Sequence, residues 1–174
     1  MTSPVRPLPG DTGGGILATM ERESWQDRLG REAFLSLFLA SNRFNEQLEE
    51  VCRAEGISHP QYSVLWVLCL ADAPGGLPMG ELADGLLTRS ADATRLVDRL
   101  LAAGHVTREP SPSDRRVVLV SPTEQGLRLF ERLTAEIKAL HRRQWAGFTK
   151  EELRELIRLL TVARLRGGPG EPPA

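Results

Sequence analysis

The sequence predicts a mainly α protein with one β hairpin in its second half. Apolar residues recur at three- and four-residue steps along most of the chain, as they do in amphipathic helices. Ser, Thr, Pro and Gly stand where helices start and stop. Two short runs, "HVTR" (105–108) and "VVLV" (117–120), have the pattern of paired strands. A length of 174 residues suits one domain with its own core.

The first two predicted helices differ in their patterns. A long amphipathic helix runs through Phe34 and Val51 and is stopped by Gly56. "SHPQ" then starts a second helix, with Ser58 as the N-cap and Gln61 closing a capping box. The run "YSVLWVLCLA" in this helix is apolar nearly all round, so we expect the helix to be central and buried.

A short helix, "MGELADGLL", precedes a charged one, "TRSADATRLVDRLLAAG", which Thr88 should cap and Gly104 should end. Two such helices joined by a tight turn form a helix-turn-helix, whose second helix can lie in a major groove. The apolar stripe of the charged helix should face the core: Ala93, Leu96, Val97, Leu100 and Leu101. Its other face carries Arg89, Ser90, Asp92, Thr94, Arg95 and Arg99.

The hairpin loop is long and basic. It spans Glu109 to Arg116, contains two prolines and ends in Asp114-Arg115-Arg116. The chain has a formal net charge of -1, yet six arginines lie between Arg89 and Arg116. A locally positive stretch on a slightly acidic chain indicates a negatively charged partner. Following a helix-turn-helix, such a hairpin makes the predicted fold winged.

Two more helices follow the hairpin. "SPTE" reads as a capping box with Ser121 as the cap, Pro122 first in the helix and Glu124 reaching back. "FTKEEL" starts the last helix, with Thr149 as the cap and Glu152 in the box.

Several functional classes lack support in the sequence. Cys52 and Cys69 form no disulfide framework and suit packing in a reducing cytosol. The three histidines have no metal-ligand spacing, and no nucleophile elbow, catalytic acid–base pair or phosphate-binding glycine loop is present. Neither a secretion signal nor a membrane-spanning apolar run is found. We therefore expect a soluble, cytoplasmic protein that is not an enzyme and needs no cofactor or metal.

The stretch "ELADGLLTRSADATRLVDRLLAAGHVTREPSPSDRRVVLVSPTEQG" resembles the DNA-binding core of the MarR family of bacterial transcription regulators. Its specific pieces are the "ELA" helix, the "TRLVDRLLAAG" recognition helix, the wing Asp-x-Arg and the later T-x-x-G. The similarity covers roughly Phe34 to Leu165. It implies a winged helix-turn-helix with a two-stranded β wing and additional N- and C-terminal dimerisation helices.

The resemblance also implies a division of the chain. A MarR-type domain spans 25–166, between a flexible N-terminal segment (1–24) and a flexible C-terminal tail (167–174), both rich in Pro and Gly. Within the domain, 57–120 reads DNA, while 31–56 and 121–166 supply the dimerisation helices.

Family members are homodimers that bind palindromic operators in double-stranded DNA, so the resemblance implies the same here. Asp114 and Arg116 match the wing Asp-x-Arg, whose arginine enters the minor groove, with Asp114 orienting it and Arg115 on phosphate. Asp92 departs from the Ser or Thr more usual there, but it can accept from a cytosine amino group. The predicted DNA-binding residues are Arg89, Ser90, Asp92, Thr94, Arg95, Arg99, Asp114, Arg115 and Arg116.

For Arg95 the residues leave three roles open: it reaches bases, pairs with Asp98, or holds the recognition helix to the wing.

Many family members release DNA when a small, often phenolic, ligand binds. The resemblance implies a small aromatic or anionic effector, with an arginine holding its carboxylate or phenolate. The alternative is that the aromatic residues simply fill the core. The predicted ligand-binding residues are Phe34, Phe38, Tyr62, Trp66, Arg95 and Arg108.

A narrower resemblance is to urate-responsive members. Trp25, Arg95 and Arg108 match their ligand-binding pattern, but Ser63 stands where those members place an Asp. The alternative for Trp25, which we favour, is a hydrophobic arm that covers the dimer interface.

The sequence is compatible with two functions from different classes. One is a ligand-responsive, dimeric transcriptional regulator, most simply a repressor. The other is a winged-helix module that binds protein rather than DNA. Salt dependence distinguishes them, because a duplex binder releases counterions and loses affinity steeply as salt rises.

Overall fold

The computed structural model describes residues 24–71, 73, 75–86 and 92–166. The chain divides into two compact units, residues 1–45 and 46–174. Helix α1 (Trp25–Ala54) starts in the first unit and ends in the second. The long helix predicted through Phe34 and Val51 is confirmed, but it starts earlier. Trp25 is therefore its first residue rather than part of an arm ahead of it.

The second unit continues with helices around a small sheet, so the mainly α class is confirmed. Its elements are α2 (His59–Leu70), β1 (Leu77–Pro78), α3 (Met79–Gly85), α4 (Ala93–Ala102), β2 (Val106–Pro110), β3 (Val118–Pro122), α5 (Glu124–Gln144) and α6 (Lys150–Arg166).

Helix α2 is the centre of this unit, as its apolar sequence predicts. Its cap is the predicted box: the Gln61 N–H donates to Ser58 Oγ (3.4 Å) and the Ser58 N–H donates to Gln61 Oε1 (2.9 Å). Val64 and Leu65 are completely buried. The helix packs against both α4 and α5, because it has apolar residues on every side.

The sheet has three antiparallel strands in the order β1-β3-β2. Strands β2 and β3 form the predicted two-stranded wing, with Pro110 opposite Val118. The structure adds β1, in which Leu77 pairs with Val120. Two residues are too few to show a strand's alternation, so the pattern of the sequence does not reveal β1.

The predicted start of α5 was wrong. Ser121 and Pro122 belong to β3, and Thr123 is the N-cap, with its Oγ1 accepting from the Gly126 N–H (3.0 Å). Pairing with β2 extends to Pro122, which lies opposite Val106. Strand pairing therefore includes Ser121 and Pro122, the two residues that the sequence assigned to the start of the helix.

Two glycines fix the base of the wing. Gly104 has φ +74°, which favours glycine, and it ends α4 with the His105 N–H donating to the Leu100 carbonyl (2.9 Å). At Gly126 a Cβ would collide with the backbone carbonyl of His105. The Thr123 hydroxyl also donates to the Gly104 carbonyl (2.7 Å). The T-x-x-G motif thus docks α5 onto the turn between α4 and β2.

Helix α6 has the predicted capping box: the Thr149 N–H donates to Glu152 Oε2 (2.8 Å), and the Glu152 N–H donates to Thr149 Oγ1 (3.2 Å). None of its residues is buried. Its large exposed apolar side chains are Ile157, Leu159, Leu160 and Leu165. The first unit, taken by itself, exposes Trp25, Leu29, Phe34, Leu35, Leu37, Phe38 and Leu39 along α1.

Candidate nucleic-acid interface

Helix α4 has one buried and one exposed face. Four of the five residues predicted for the stripe are buried: Ala93, Leu96, Val97 and Leu100. Leu101 is 39 % exposed, so its assignment to the core was wrong; it lies in the last turn of the helix. The predicted DNA-facing residues Thr94, Arg95 and Arg99 are all exposed. The helix therefore presents polar and cationic groups while its apolar side holds it to the core.

The predicted start of this helix falls on residues outside those that the structure describes. As described, α4 begins at Ala93, and the Asp92 side chain at its N-cap makes no capping hydrogen bond. The Asp92 carboxylate is exposed beside the polar face of α4. The predicted cap Thr88 and the predicted DNA contacts Arg89 and Ser90 lie outside the described residues.

The tip of the wing is shaped by its own hydrogen bonds. The Ser111 N–H donates to the Val117 carbonyl (2.8 Å), and the Val117 N–H donates to the Asp114 carbonyl (2.9 Å). Ser111 is buried, and its hydroxyl lies 2.9 Å from that of Ser113. The loop between the strands is therefore Ser111 to Val117, a compact turn that is shorter than the sequence predicts.

Asp114, Arg115 and Arg116 are exposed at this tip. The Asp114 carboxylate accepts a hydrogen bond from the backbone N–H of Arg116 (3.0 Å). The sequence predicts a bond that orients Arg116; the structure places it on the backbone amide rather than the guanidinium. Asp114 thereby fixes the turn from which both arginines project.

The wing and α4 are joined by an ion pair. Arg108 Nη1 donates to Asp98 Oδ1 (2.6 Å), and Arg108 Nη2 donates to the Thr94 carbonyl (3.4 Å). Of the roles left open for Arg95, the pairing with Asp98 thus belongs to Arg108. Arg95 instead lines a cavity of about 420 Å³ together with Asp92 and Arg99.

Within the second unit, the structure separates the predicted ligand-binding residues. Tyr62 and Trp66 line a cavity of about 250 Å³ with His59, Ser63, Val67, Gly85 and Leu86, while Arg95 lines the other cavity. Arg108 is engaged by Asp98. Phe34 and Phe38 belong to the first unit, where their rings stack at 6.0 Å between centroids.

The two aromatic residues of the smaller cavity differ in their surroundings. Tyr62 is buried, stacks on Phe130 (5.9 Å between centroids), and its hydroxyl lies 3.1 Å from Thr134 Oγ1. Burial raises the pKa of the Tyr62 phenol, and the hydrogen bond with Thr134 opposes part of that shift. Trp66 is 48 % exposed. Tyr62 thus forms a fixed wall and Trp66 an accessible one.

The cysteines have no activating surroundings. Burial raises the pKa of both thiols to about 11, with Glu49 adding to the effect at Cys52 and Glu131 at Cys69. Thiolate chemistry near neutral pH is therefore suppressed.

The part of the chain that the structure describes contains no cluster of three or more His, Cys, Asp or Glu side chains placed to hold a metal ion. No helix there has the length and apolarity needed to cross a bilayer.

The sequence offers Arg95 as a partner of Asp98 and does not reveal Arg108, the partner that the structure shows. The signal available was an arginine in the following strand, but no spacing rule links a helix residue to a strand residue across a turn.

The fold and the polar face of α4 define a DNA-binding protein of the winged helix-turn-helix class. Similarity to known proteins identifies the family within that class.

A model of the MarR family matches residues 55–117. The chain is 31 % identical over 128 residues to the HTH-type transcriptional regulator PrsX of Escherichia coli, covering 72 % of this chain and 76 % of the relative. It is 29 % identical over 138 residues to the HTH-type transcriptional repressor IacR of Pseudomonas putida, covering 78 % and 81 %.

Among solved structures, the chain resembles a cysteine-to-serine variant of MarR from E. coli complexed with operator DNA. The TM-score is 0.69 at 25 % identity, covering 81 % of this chain and 99 % of that one. This chain belongs to the MarR family of transcription regulators. Its class is that of DNA-binding, non-enzymatic regulators, as the sequence predicts.

Proposed function

We propose that this regulator is a homodimer that binds a palindromic operator, represses transcription from it, and is released by a small aromatic or anionic ligand. The observation that carries the proposal is the pairing of an exposed polar face on α4 with a hydrogen-bonded, arginine-tipped wing. Both are held to one core, so both present their side chains in a fixed arrangement.

In the proposed complex, α4 lies in the major groove. Arg95 and Arg99 carry planar forks of donors that match guanine edges or phosphate, and Asp92 can accept from a cytosine amino group. At the wing, Arg116 enters the narrow minor groove, where the negative potential is strong, and Arg115 contacts phosphate. Arg89 and Ser90 remain proposed contacts on the strength of their sequence positions alone.

Dimerisation is proposed from the exposed apolar faces. Each unit presents one by itself: α6 with Ile157 and Leu165, and the first unit with Phe34 and Leu39. Faces of this kind on a single chain mark an interaction surface. A second copy would supply the same faces under two-fold symmetry and place two recognition helices about one DNA turn apart. A palindromic operator follows from that symmetry.

Repression is proposed from the name of a similar protein. IacR of Pseudomonas putida bears the name of a transcriptional repressor, and most of both chains align. The direction of control is tested with a reporter gene placed behind the operator. Expression should fall when the regulator is supplied and return when it is removed.

The DNA-binding proposal is tested by selecting operator fragments from genomic DNA and measuring affinity as salt rises. We expect a steep, linear fall of log affinity with log salt, because arginine–phosphate contacts release counterions. A palindrome should emerge among the selected fragments. If the chain selects no DNA fragment, or if its affinity for DNA does not change with salt, the alternative of a protein-binding module is favoured.

The ligand site is proposed at the cavity beside Tyr62 and Trp66. An apolar ring could stack there, with Ser63 and His59 as its polar neighbours. Burial lowers the pKa of His59, against an opposing influence from Glu49, so its neutral ring can donate or accept near neutral pH. Coupling of about 1–3 kcal/mol between ligand and DNA would be typical of such a switch.

A titration of aromatic acids and purines tests this site. Tryptophan fluorescence and release of operator DNA are followed in the same samples. The Trp66→Phe variant should lose the ligand-dependent fluorescence change while still releasing DNA. Ligand binding that leaves DNA affinity unchanged would contradict the switch.

A further inference from the structure

The contact between Arg108 and α4 joins the wing to the recognition helix. Arg108 projects from β2, the first strand of the wing, whereas Asp98 and Thr94 lie on the recognition helix. The guanidinium donates to the Asp98 carboxylate (2.6 Å) and to the Thr94 carbonyl (3.4 Å). The Arg108 side chain is 25 % exposed and the Asp98 side chain is 53 % exposed, so water is partly excluded at the arginine but not at the carboxylate.

The two acceptors lie one helical turn apart on α4, since Thr94 and Asp98 are four residues apart. One rigid guanidinium fork that holds both points limits the rotation of α4 and its sliding past the strand. The strand is itself fixed, because Arg108 lies opposite Val120, which is completely buried. A single side chain therefore ties the element proposed for the major groove to the element proposed for the minor groove.

We infer that Arg108 and Asp98 form a positioning pair that sets the wing against the recognition helix and thereby makes DNA binding sequence-specific. The inference rests on the proposed operator binding. Neither residue needs to touch DNA for this role. Each acts by keeping Arg95 and Arg116 at the separation at which both grooves can be engaged together.

Because Asp98 carries a negative charge, the inference predicts the direction in which operator affinity changes when that charge is removed. A carboxylate on a DNA-facing helix repels phosphate, so removing its charge should strengthen binding to any duplex if repulsion were its only effect. A positioning role predicts the reverse for the operator. Asp98→Asn should then weaken operator binding by about tenfold, the size expected when one charge-assisted hydrogen bond is lost.

Two further variants complete the design. Arg108→Lys keeps the positive charge but has no planar fork to hold Asp98 and Thr94 together. Glu109→Gln is the matched control, because it removes the same charge as Asp98→Asn from an exposed side chain on the neighbouring position of β2. Affinity is measured for the selected operator and for a non-specific duplex of equal length, together with the salt slope and the midpoint of thermal unfolding.

We expect Asp98→Asn and Arg108→Lys each to lose operator affinity, while affinity for the non-specific duplex stays at or above the parent's. Combining the two should cost little more than either alone, since both break one contact. Glu109→Gln should bind the operator at least as well as the parent. Equal loss on both duplexes, or unchanged operator affinity in the folded Asp98→Asn variant, would overturn the inference. Failure of the parent chain to select any operator would instead count against the proposed function.

Discussion

Helices α4 and α6 carry similar apolar stripes but differ in what covers them. On α4 the stripe is buried within the chain, with Val97 and Leu100 fully inaccessible. On α6 no residue is buried, and Ile157 and Leu165 are 63 % and 75 % exposed. The period of a stripe therefore predicts which face of a helix is apolar, and not whether its cover comes from the same chain. We assign the cover of α6 to a second copy, and that assignment can be broken.

The largest expected effect comes from ending the chain before Thr149. Loss of α6 removes one of the faces proposed to pair two copies, so the product should aggregate or unfold and lose operator binding. Size-exclusion chromatography with light scattering, and DNA binding, measure the outcome.

A chain that ends at Arg166 is the control for that truncation. It removes only residues 167–174 and should keep the oligomeric state and the operator affinity of the parent. A stable, DNA-binding monomer from the shorter chain would refute the dimer.

Two leucine substitutions of the same size distinguish an apolar face that is buried within the chain from one that is exposed on it. Leu65→Ala opens a cavity in the completely buried centre of α2 and should lower the free energy of unfolding by about 2–5 kcal/mol. Leu160→Ala, on the 40 % exposed face of α6, should act mainly on association. The Leu160→Ala effect should therefore shrink as protein concentration rises, and the Leu65→Ala effect should persist. Thermal unfolding over a hundredfold range of concentration distinguishes them.

Local rules predicted the parts of the fold that depend on local contacts. The capping boxes at Ser58 and Thr149 involve residues three positions apart, and both are present as predicted. The start of α5 was missed because a long-range contact decided it: pairing with β2 keeps Pro122 in a strand. The local pattern "SPTE" resembles a capping box and contains no information about pairing with β2.

The candidate site divides in the same way. The polar face of α4 and the arginine-tipped wing follow from periodicity and from the resemblance to the MarR family. The partner of Asp98 does not, since it lies on another element and depends on how β2 packs across α4. The six ligand-binding residues were likewise predicted from their residue types, four aromatic and two basic, and from the family resemblance. The structure places Tyr62 and Arg95 in different cavities.

A smaller effect is expected at the wing. Arg116→Ala should weaken operator binding by about 1–3 kcal/mol, because the guanidinium is proposed to lose water in a narrow groove. The loss should be greatest for operators with A·T-rich flanks. Arg115→Ala, proposed to remove a phosphate contact, should weaken binding to all duplexes alike and reduce the salt slope. Equal affinity of the Arg116→Ala variant and the parent across such flanks would contradict the minor-groove assignment.

The smallest effects should come from the two capping boxes, one on the buried helix α2 and one on the exposed helix α6. Ser58→Ala removes the cap of the buried helix α2 and should cost about 1 kcal/mol of unfolding free energy at any protein concentration. Thr149→Ala removes the cap of α6 and should cost less, with the loss visible mainly as weaker association.

The pH response gives the cap of α6 its own signature. Hydrogen bonds from the Thr149 backbone N–H and hydroxyl hold the pKa of the Glu152 carboxyl below its usual value. A depressed folded pKa contributes stability above the unfolded value, and that contribution is lost as the pH falls through the folded value. Thr149→Ala removes the hydroxyl donor and keeps the backbone donor, so it should flatten the acid side of the stability profile in part. Ser58→Ala, whose partner Gln61 carries no charge, should leave the profile unchanged. If both variants flatten the profile equally, or neither does, the Glu152 carboxylate is not what the cap of α6 depends on.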